Sequence, residues 1–264
     1  GFQQLPWQQV KNPFPPFNFI SDDQVEDIHN ASLQVLEEIG LNFLLPEARE
    51  RLRVAGADVS EGDTRVRFDR GLIEEYVAKA PSDFTVHARN PAHNLHWGGN
   101  VLNFAMVASP PNVSALDIPR TSGTFEYFCD FLKLAQSLNI VHCLGGYPVE
   151  PVDLPPKERH LDAYQAMVRL CDKVNFAYAL GDERIRDALE MARIARGLTM
   201  EQLCNEPSFF TVVNANSPLQ YDIPMLQGMT EMALHNQPVI VTPFTLAGAM
   251  APVTIAGALV QQNA

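Results

Sequence analysis

Four nearly continuous apolar runs, NIVHCLGG, VNFAYAL, SFFTVVN and PVIVTP, begin near residues 139, 174, 208 and 238. Runs this short and this apolar fit strands covered on both faces, as in a parallel sheet. Their spacing of about 30 to 35 residues is the length of a strand–helix–strand unit. The segments between them carry helical periodicity over Lys157–Cys171, Asp182–Arg196 (closed by Gly197) and Asp222–Asn236. A helix over Thr124–Leu138 precedes the first run, with Phe125, Phe128, Leu132, Ala135 and Leu138 on one face. The rhythm therefore predicts an α/β chain with a parallel sheet.

The region before this rhythm is built differently. Residues 1–20 hold Pro6, Pro13, Pro15, Pro16 and five large aromatics, which predicts an extended arm. Its aromatics are expected to lie on another surface of the protein or on a second subunit, so a homo-oligomer stays open. Ser21-Asp-Asp-Gln24 has the spacing of a capping box, and a helix follows to Ile39 and Gly40. Further helices are expected over Pro46–Ala55 and Gly71–Lys79, with a short strand near Val66. From Phe84 to Asp117 the pattern alternates between turns at Asn90-Pro91 and Gly98-Gly99-Asn100, which predicts a β-meander. The chain thus divides into an arm (1–20), a helical and meander region (21–120) and a βα region (121–264).

About 144 residues remain for βα units of some 30 residues, room for about five, whereas a (β/α)₈ barrel needs eight. The choice lies between an open sheet and an incomplete TIM-type barrel. No G-x-G-x-x-G or Walker-type loop is present to mark a doubly wound nucleotide fold, and the incomplete barrel is the expectation. The last stretch reads as strand Val239–Val241, a small-residue loop Ala247–Ala251 and a helix restarting at Pro252, where loop N–H groups could face a ligand.

Charge and cysteine usage narrow the partners. The net charge of −12 argues against nucleic acid and mildly favours a cationic ligand. No apolar run is long enough to span a membrane, and no signal peptide is seen. Cys129, Cys143, Cys171 and Cys204 form no C-x-x-C pair and read as small hydrophobes in a reducing cytoplasm. His93 and His96 lack a third ligand, so no metal site is expected.

Candidate site residues follow from the barrel rule that sites lie at the C-terminal ends of strands. Tyr147, Glu150 and Asp153 sit in the loop after the first run. The two carboxylates read equally as a cation or proton site and as loop residues, with Asp153 capping the next helix. Tyr178 ends the second run. Asn214, Asn216 and Ser217 end the third, and Thr242 and Phe244 the fourth. Tyr147, Tyr178 and Phe244 at three strand ends suggest an aromatic cage for a methylated ammonium. A barrel lyase or aldolase would need a lysine at a strand end, and Lys157 and Lys173 lie elsewhere.

Seven segments, LPWQQVKNPFPP, SLQVLEEIG, HARNPAHNL, GGYPVEPVDLP, RHLDA, NANSPLQYD and PFTLAGAMAPVT, occur in the order found in one family. By them the chain resembles the N-terminal half of the corrinoid-dependent trimethylamine methyltransferases and their quaternary-amine relatives. The resemblance implies a (β/α)₈ barrel that moves a methyl group from trimethylamine or a quaternary amine such as glycine betaine to a corrinoid. That corrinoid (cobalamin) belongs to a partner protein and is not bound directly by this chain. In trimethylamine enzymes a pyrrolysine is expected beyond Ala264. No catalytic residue of this half is assigned. A non-catalytic module, binding quaternary amines or docking a corrinoid protein, is the alternative.

Overall fold

The computed structural model describes residues 3–216 and 218–264. The arm supplies strand β1 (Val10–Lys11). Ser21 caps helix α1 (Asp22–Gln34), its hydroxyl accepting the Gln24 N–H while the Gln24 side chain accepts the Ser21 N–H. The helix continues as a π turn, Val35–Ile39, and stops at Gly40. A Cβ there would lie 2.1 Å from the Val66 carbonyl oxygen, so the approach of chain to chain requires glycine. Next come β2 (Leu41–Phe43), α2 (Pro46–Ala55), β3 (Asp58–Val59), β4 (Arg65–Arg67) and α3 (Arg70–Ala78). The strands pair antiparallel in the order β2-β4-β3. Leu36, Leu41, Phe43, Val66 and Phe68 form their apolar core.

The predicted meander is only partly formed. Strands β5 (Asp83–Val86) and β6 (Leu95–Gly98) make an antiparallel hairpin. Strand β7 (Val101–Leu102) pairs instead with β1 of the arm. The arm is held along that edge, with the Asn12 N–H donating to the Asn100 carbonyl at 2.8 Å. Strand β8 (Ala105–Met106) enters the parallel set described below. Alternation reveals that a segment is a strand but not which neighbour it takes, and here the arm reaches β7. A short hairpin of β9 (Asn112–Val113) and β10 (Thr121–Ser122) closes the region.

The βα rhythm then runs through α4 (Phe125–Ser137), β11 (Cys143–Leu144), α5 (Arg159–Leu170), β12 (Asn175–Phe176), α6 (Asp182–Arg196), α7 (Met200–Asn205), β13 (Phe209–Ala215), β14 (Gln220–Tyr221), α8 (Ile223–Leu234), β15 (Val239–Pro243) and α9 (Ile255–Asn263). Parallel pairings join β8 to β11, β12 to β13 and β13 to β15. A parallel bridge from Cys143 to Val174 links β11 to the start of β12. Five strands therefore lie side by side in chain order, in a mixed α/β protein. The helices α4, α5, α6 and α8 pack successively against one another. Phe128, Leu132, Met167, Ile185, Leu189 and Phe209 lie fully buried in the main core. Strand β14 pairs with β2 and ties the N-terminal sheet to this region.

Two local expectations change. Helix α7 was not foreseen, although Thr199 and Gln202 form a second capping box at its start. Helix α9 starts at Ile255 rather than Pro252. The Thr254 hydroxyl accepts the Gly257 N–H at 3.1 Å, a cap that proline lacks the side-chain oxygen to make. In the loop before it, the Gly248, Ala249, Met250 and Ala251 N–H groups donate to the Ala251 and Leu246 carbonyls. They are spent within the loop and do not face a ligand.

Candidate functional site at the strand ends

The C-terminal ends of β11 and β12 carry two tyrosines in contact. The Tyr147 and Tyr178 rings meet edge to face at 4.8 Å between centroids, and Tyr147 is 7% exposed. Gly146 makes this approach possible, because a Cβ there would lie 2.7 Å from the Tyr178 hydroxyl. The Tyr178 oxygen accepts the Tyr147 N–H at 3.2 Å and bonds the Ser109 hydroxyl. Ser109 follows β8 with a left-handed φ of 52°, and its N–H donates to the Tyr147 carbonyl at 2.6 Å. Nothing in the sequence pattern marks Ser109, since its role rests on backbone geometry. Burial pushes both tyrosine hydroxyls upward, with repulsion from Glu150 adding to it, so both stay protonated at neutral pH. Phe176 continues the aromatic group, 4.7 Å from Tyr178 and 5.5 Å from Phe210.

The ends of β13 and β15 bring a second pair together. The register sets Asn214 opposite Thr242, and the Thr242 hydroxyl donates to Asn214 Oδ1 at 2.6 Å. Asn214 shares a strand face with Phe210, whose register partner Phe176 lies two residues before Tyr178. Asn216 is tied into its own turn. Its amide donates to Asp222 Oδ2 at 3.2 Å, and Asp222 caps α8 through the Met225 N–H. Ser217 lies outside the described residues. Phe244 is 53% exposed and lines a cleft with Asn216, Leu219, Tyr221 and Gln261. Its ring touches neither tyrosine, so among the described residues the three aromatics do not form one ring of faces.

Both carboxylates of the first loop are engaged. Glu150 pairs with Arg159 at 2.7 Å, and Arg159 also donates to the Leu154 carbonyl at 2.8 Å. Asp153 accepts the Phe125 N–H at 2.8 Å and so adds to the Thr124 cap of α4, the helix before the loop, rather than capping the next one. Together they pin the loop to α4 and α5. Three histidines are likewise engaged through at least one ring nitrogen. His93 meets Asp172 at 2.6 Å and His160 meets Asp187 at 2.8 Å. His142 accepts the Phe104 N–H at Nδ1 and donates from Nε2 to the Gln8 carbonyl. Lys173 is buried and donates to the Ala135 and Leu138 carbonyls. Among the described residues no group of three or more His, Cys, Asp or Glu side chains is placed to hold a metal ion, and no helix is long and apolar enough to cross a membrane.

Against known proteins, the family described as trimethylamine methyltransferase (MTTB) matches residues 1–264. A glycine betaine methyltransferase of Desulfitobacterium hafniense is 35% identical over 250 residues, covering 95% of this chain and 52% of that protein. The trimethylamine methyltransferase MttB of another strain of that species is 26% identical over 252 residues, covering 92% and 49%. A proline betaine:corrinoid methyltransferase of Eubacterium limosum is 24% identical over 257 residues, covering 93% and 51%. The chain spans about half the length of the curated relatives it matches.

Proposed function

The chain belongs to the trimethylamine methyltransferase family, and from that premise we propose that the protein moves a methyl group from a methylated amine to the cobalt of a corrinoid held by a partner protein. A quaternary amine of the glycine betaine kind is the substrate class we favour. The observation that carries this is the 35% identity to the glycine betaine methyltransferase, against 26% to the trimethylamine enzyme of the same species. We read the five parallel strands as part of a (β/α)₈ barrel whose mouth is the site above. In that reading residues 1–20 are an arm, 21–120 an elaboration and 121–264 barrel units.

A corrinoid brings a strongly nucleophilic cobalt, so this chain's task is binding and orientation. A quaternary ammonium offers no N–H, and ring faces hold it, each for about 0.5–2 kcal/mol. Tyr147 and Tyr178 supply such rings, kept neutral by burial. Glu150 adds negative charge, partly spent on Arg159. Thr242 occupies Asn214 Oδ1. The Asn214 amide N–H groups, unbonded among the described residues, are then free for a substrate carboxylate. A neutral tertiary amine leaves without needing a proton, so the site requires no general acid. The lyase or aldolase reading loses support because Lys173 is buried on two backbone carbonyls.

The test is methyl transfer by the full-length protein. Glycine betaine, trimethylamine and proline betaine are each offered with reduced cobalamin, and methylcobalamin is followed by absorbance. Glycine betaine should react fastest. Tyr178→Leu should weaken amine binding in calorimetry about 2- to 30-fold, the loss of one ring face. If every amine fails as methyl donor while one still binds, the non-catalytic amine-binding module replaces this proposal.

A further inference from the structure

The tyrosine pair and helices α5 and α6 together line a small cavity, with His160, Tyr164, Tyr147, Tyr178, Arg184 and Asp187 in its wall. Two buried polar atoms of residues that line it, His160 Nδ1 and the Tyr164 hydroxyl, have no hydrogen-bond partner among the described residues. Both belong to α5, four residues apart and therefore on one face. Tyr164 is 5% exposed, so bulk water does not satisfy it. Buried polar atoms without partners are uncommon enough that two in one cavity point to a missing guest.

The chemistry of the guest follows from the two atoms. His160 Nε2 faces the Asp187 carboxylate at 2.8 Å. An ionised carboxylate only accepts, so Nε2 carries the hydrogen and, in the neutral ring, Nδ1 is left as an acceptor. Tyr164 brings an O–H donor. The guest must therefore donate to one atom and accept from the other. It must also fit about 20 Å³, the space of a single water. Ammonium has the size but cannot accept the tyrosine hydrogen, and Arg184 in the wall opposes a cation.

We propose that this cavity is a binding site for one water, which accepts from the Tyr164 hydroxyl and donates to His160 Nδ1. The hydrogen-bond series Tyr164–water–His160–Asp187 then fastens α5 to α6 at a cavity that Tyr147 and Tyr178 also line. The inference rests on the unpartnered atoms and stands independently of the methyltransferase reading.

Crystals of the protein diffracting to about 2 Å or better would show the water as a single density peak within hydrogen-bond distance of both atoms. An empty cavity overturns the proposal, and so does an anomalous peak at this position in crystals grown with rubidium, which would make it a cation site. Thermal melting of Tyr164→Phe gives a second reading of opposite sign in the two cases. With the water present, the variant loses a satisfied hydrogen bond and Tm falls by about 2–4 °C. With a dry cavity, the variant removes an orphaned hydroxyl and Tm rises, which also refutes the proposal.

Discussion

Gly228 lies in α8 where the helix crosses the chain just past β12, and replacing it with alanine sets two effects against each other. A Cβ at this position would lie 2.7 Å from both Cα and Cβ of Ala179 and 2.9 Å from its carbonyl carbon. Carbon atoms rest comfortably at about 3.5–4.0 Å. Alanine is the better helix former by about 1 kcal/mol, and in open space Gly228→Ala would stabilise. Overpacking costs about 1–3 kcal/mol, and the upper part of that range applies here because two of the three contacted atoms are backbone and cannot rotate away. The net expectation is a loss of about 1–2 kcal/mol, or roughly 2–8 °C in Tm for a chain of this size. Scanning calorimetry of the variant measures it. Adding Ala179→Gly removes only the Cβ contact and should recover only part of the loss. The strain falls next to Tyr178, so under the proposed function amine binding by the full-length protein should weaken along with stability. A Gly228→Ala protein that melts at or above the parent temperature would refute the argument, because α8 would then have room to move.

Three further outcomes follow from the same contacts. Burial holds the His142 imidazole below its ordinary range, and its Nδ1 must stay unprotonated to accept the Phe104 N–H. The folded form therefore binds fewer protons than the unfolded one. The associated stability is complete above the unfolded value of about 6.5 and is lost as pH falls toward the depressed folded value. Urea midpoints from pH 7.5 to 5.5 should fall more steeply in the parent than in His142→Gln. Lys173→Met leaves the buried Ala135 carbonyl without its side-chain donor, while the part-buried Leu138 carbonyl keeps the Val141 N–H, and should cost about 1 kcal/mol in urea unfolding, after relief of the buried charge. Asp153→Ala removes the cap on the Phe125 N–H and should cost about 1 kcal/mol, while Asp153→Asn, an equally good cap, should keep most of it.

Elements that announce themselves at both ends were legible from residues alone. Helix α2 runs from Pro46 to Ala55 and α6 from Asp182 to Arg196, as expected, because a left-handed Gly56 and a left-handed Gly197 close them. The capping box at Ser21 is a local event and is present. Partner choice was not legible. Val101–Leu102 has strand character, but only the folded arm decides that it pairs with Val10–Lys11. The site divides in the same way. The phase of the βα rhythm puts Tyr147 and Tyr178 near adjacent strand ends, and the two rings meet there. The direction of Phe244 depends on the turn after β15 and takes it into a different cleft. The pairing of Glu150 with Arg159 spans an irregular loop, where no periodicity relates the two positions. Ser109 carries its signal in a backbone angle rather than in its residue type.

The arm's contacts bear on the order in which the molecule assembles. Gln4 bonds the Ser137 carbonyl and the Asn139 N–H, Gln9 bonds the His96 backbone, and the Gln8 carbonyl receives the His142 imidazole, across sequence separations of 87 to 135 residues. Such distant loops close only after the segments they join are in place, because the entropy of closure comes before the reward of contact. On the ribosome the arm emerges long before its landing site around Phe104 and His142 exists, and its prolines keep it from collapsing into a helix while it waits. Docking of the arm is thus a late step. In refolding followed by pulsed hydrogen exchange, the N–H of Asn139 should gain protection after those of the neighbouring helix Phe125–Ser137.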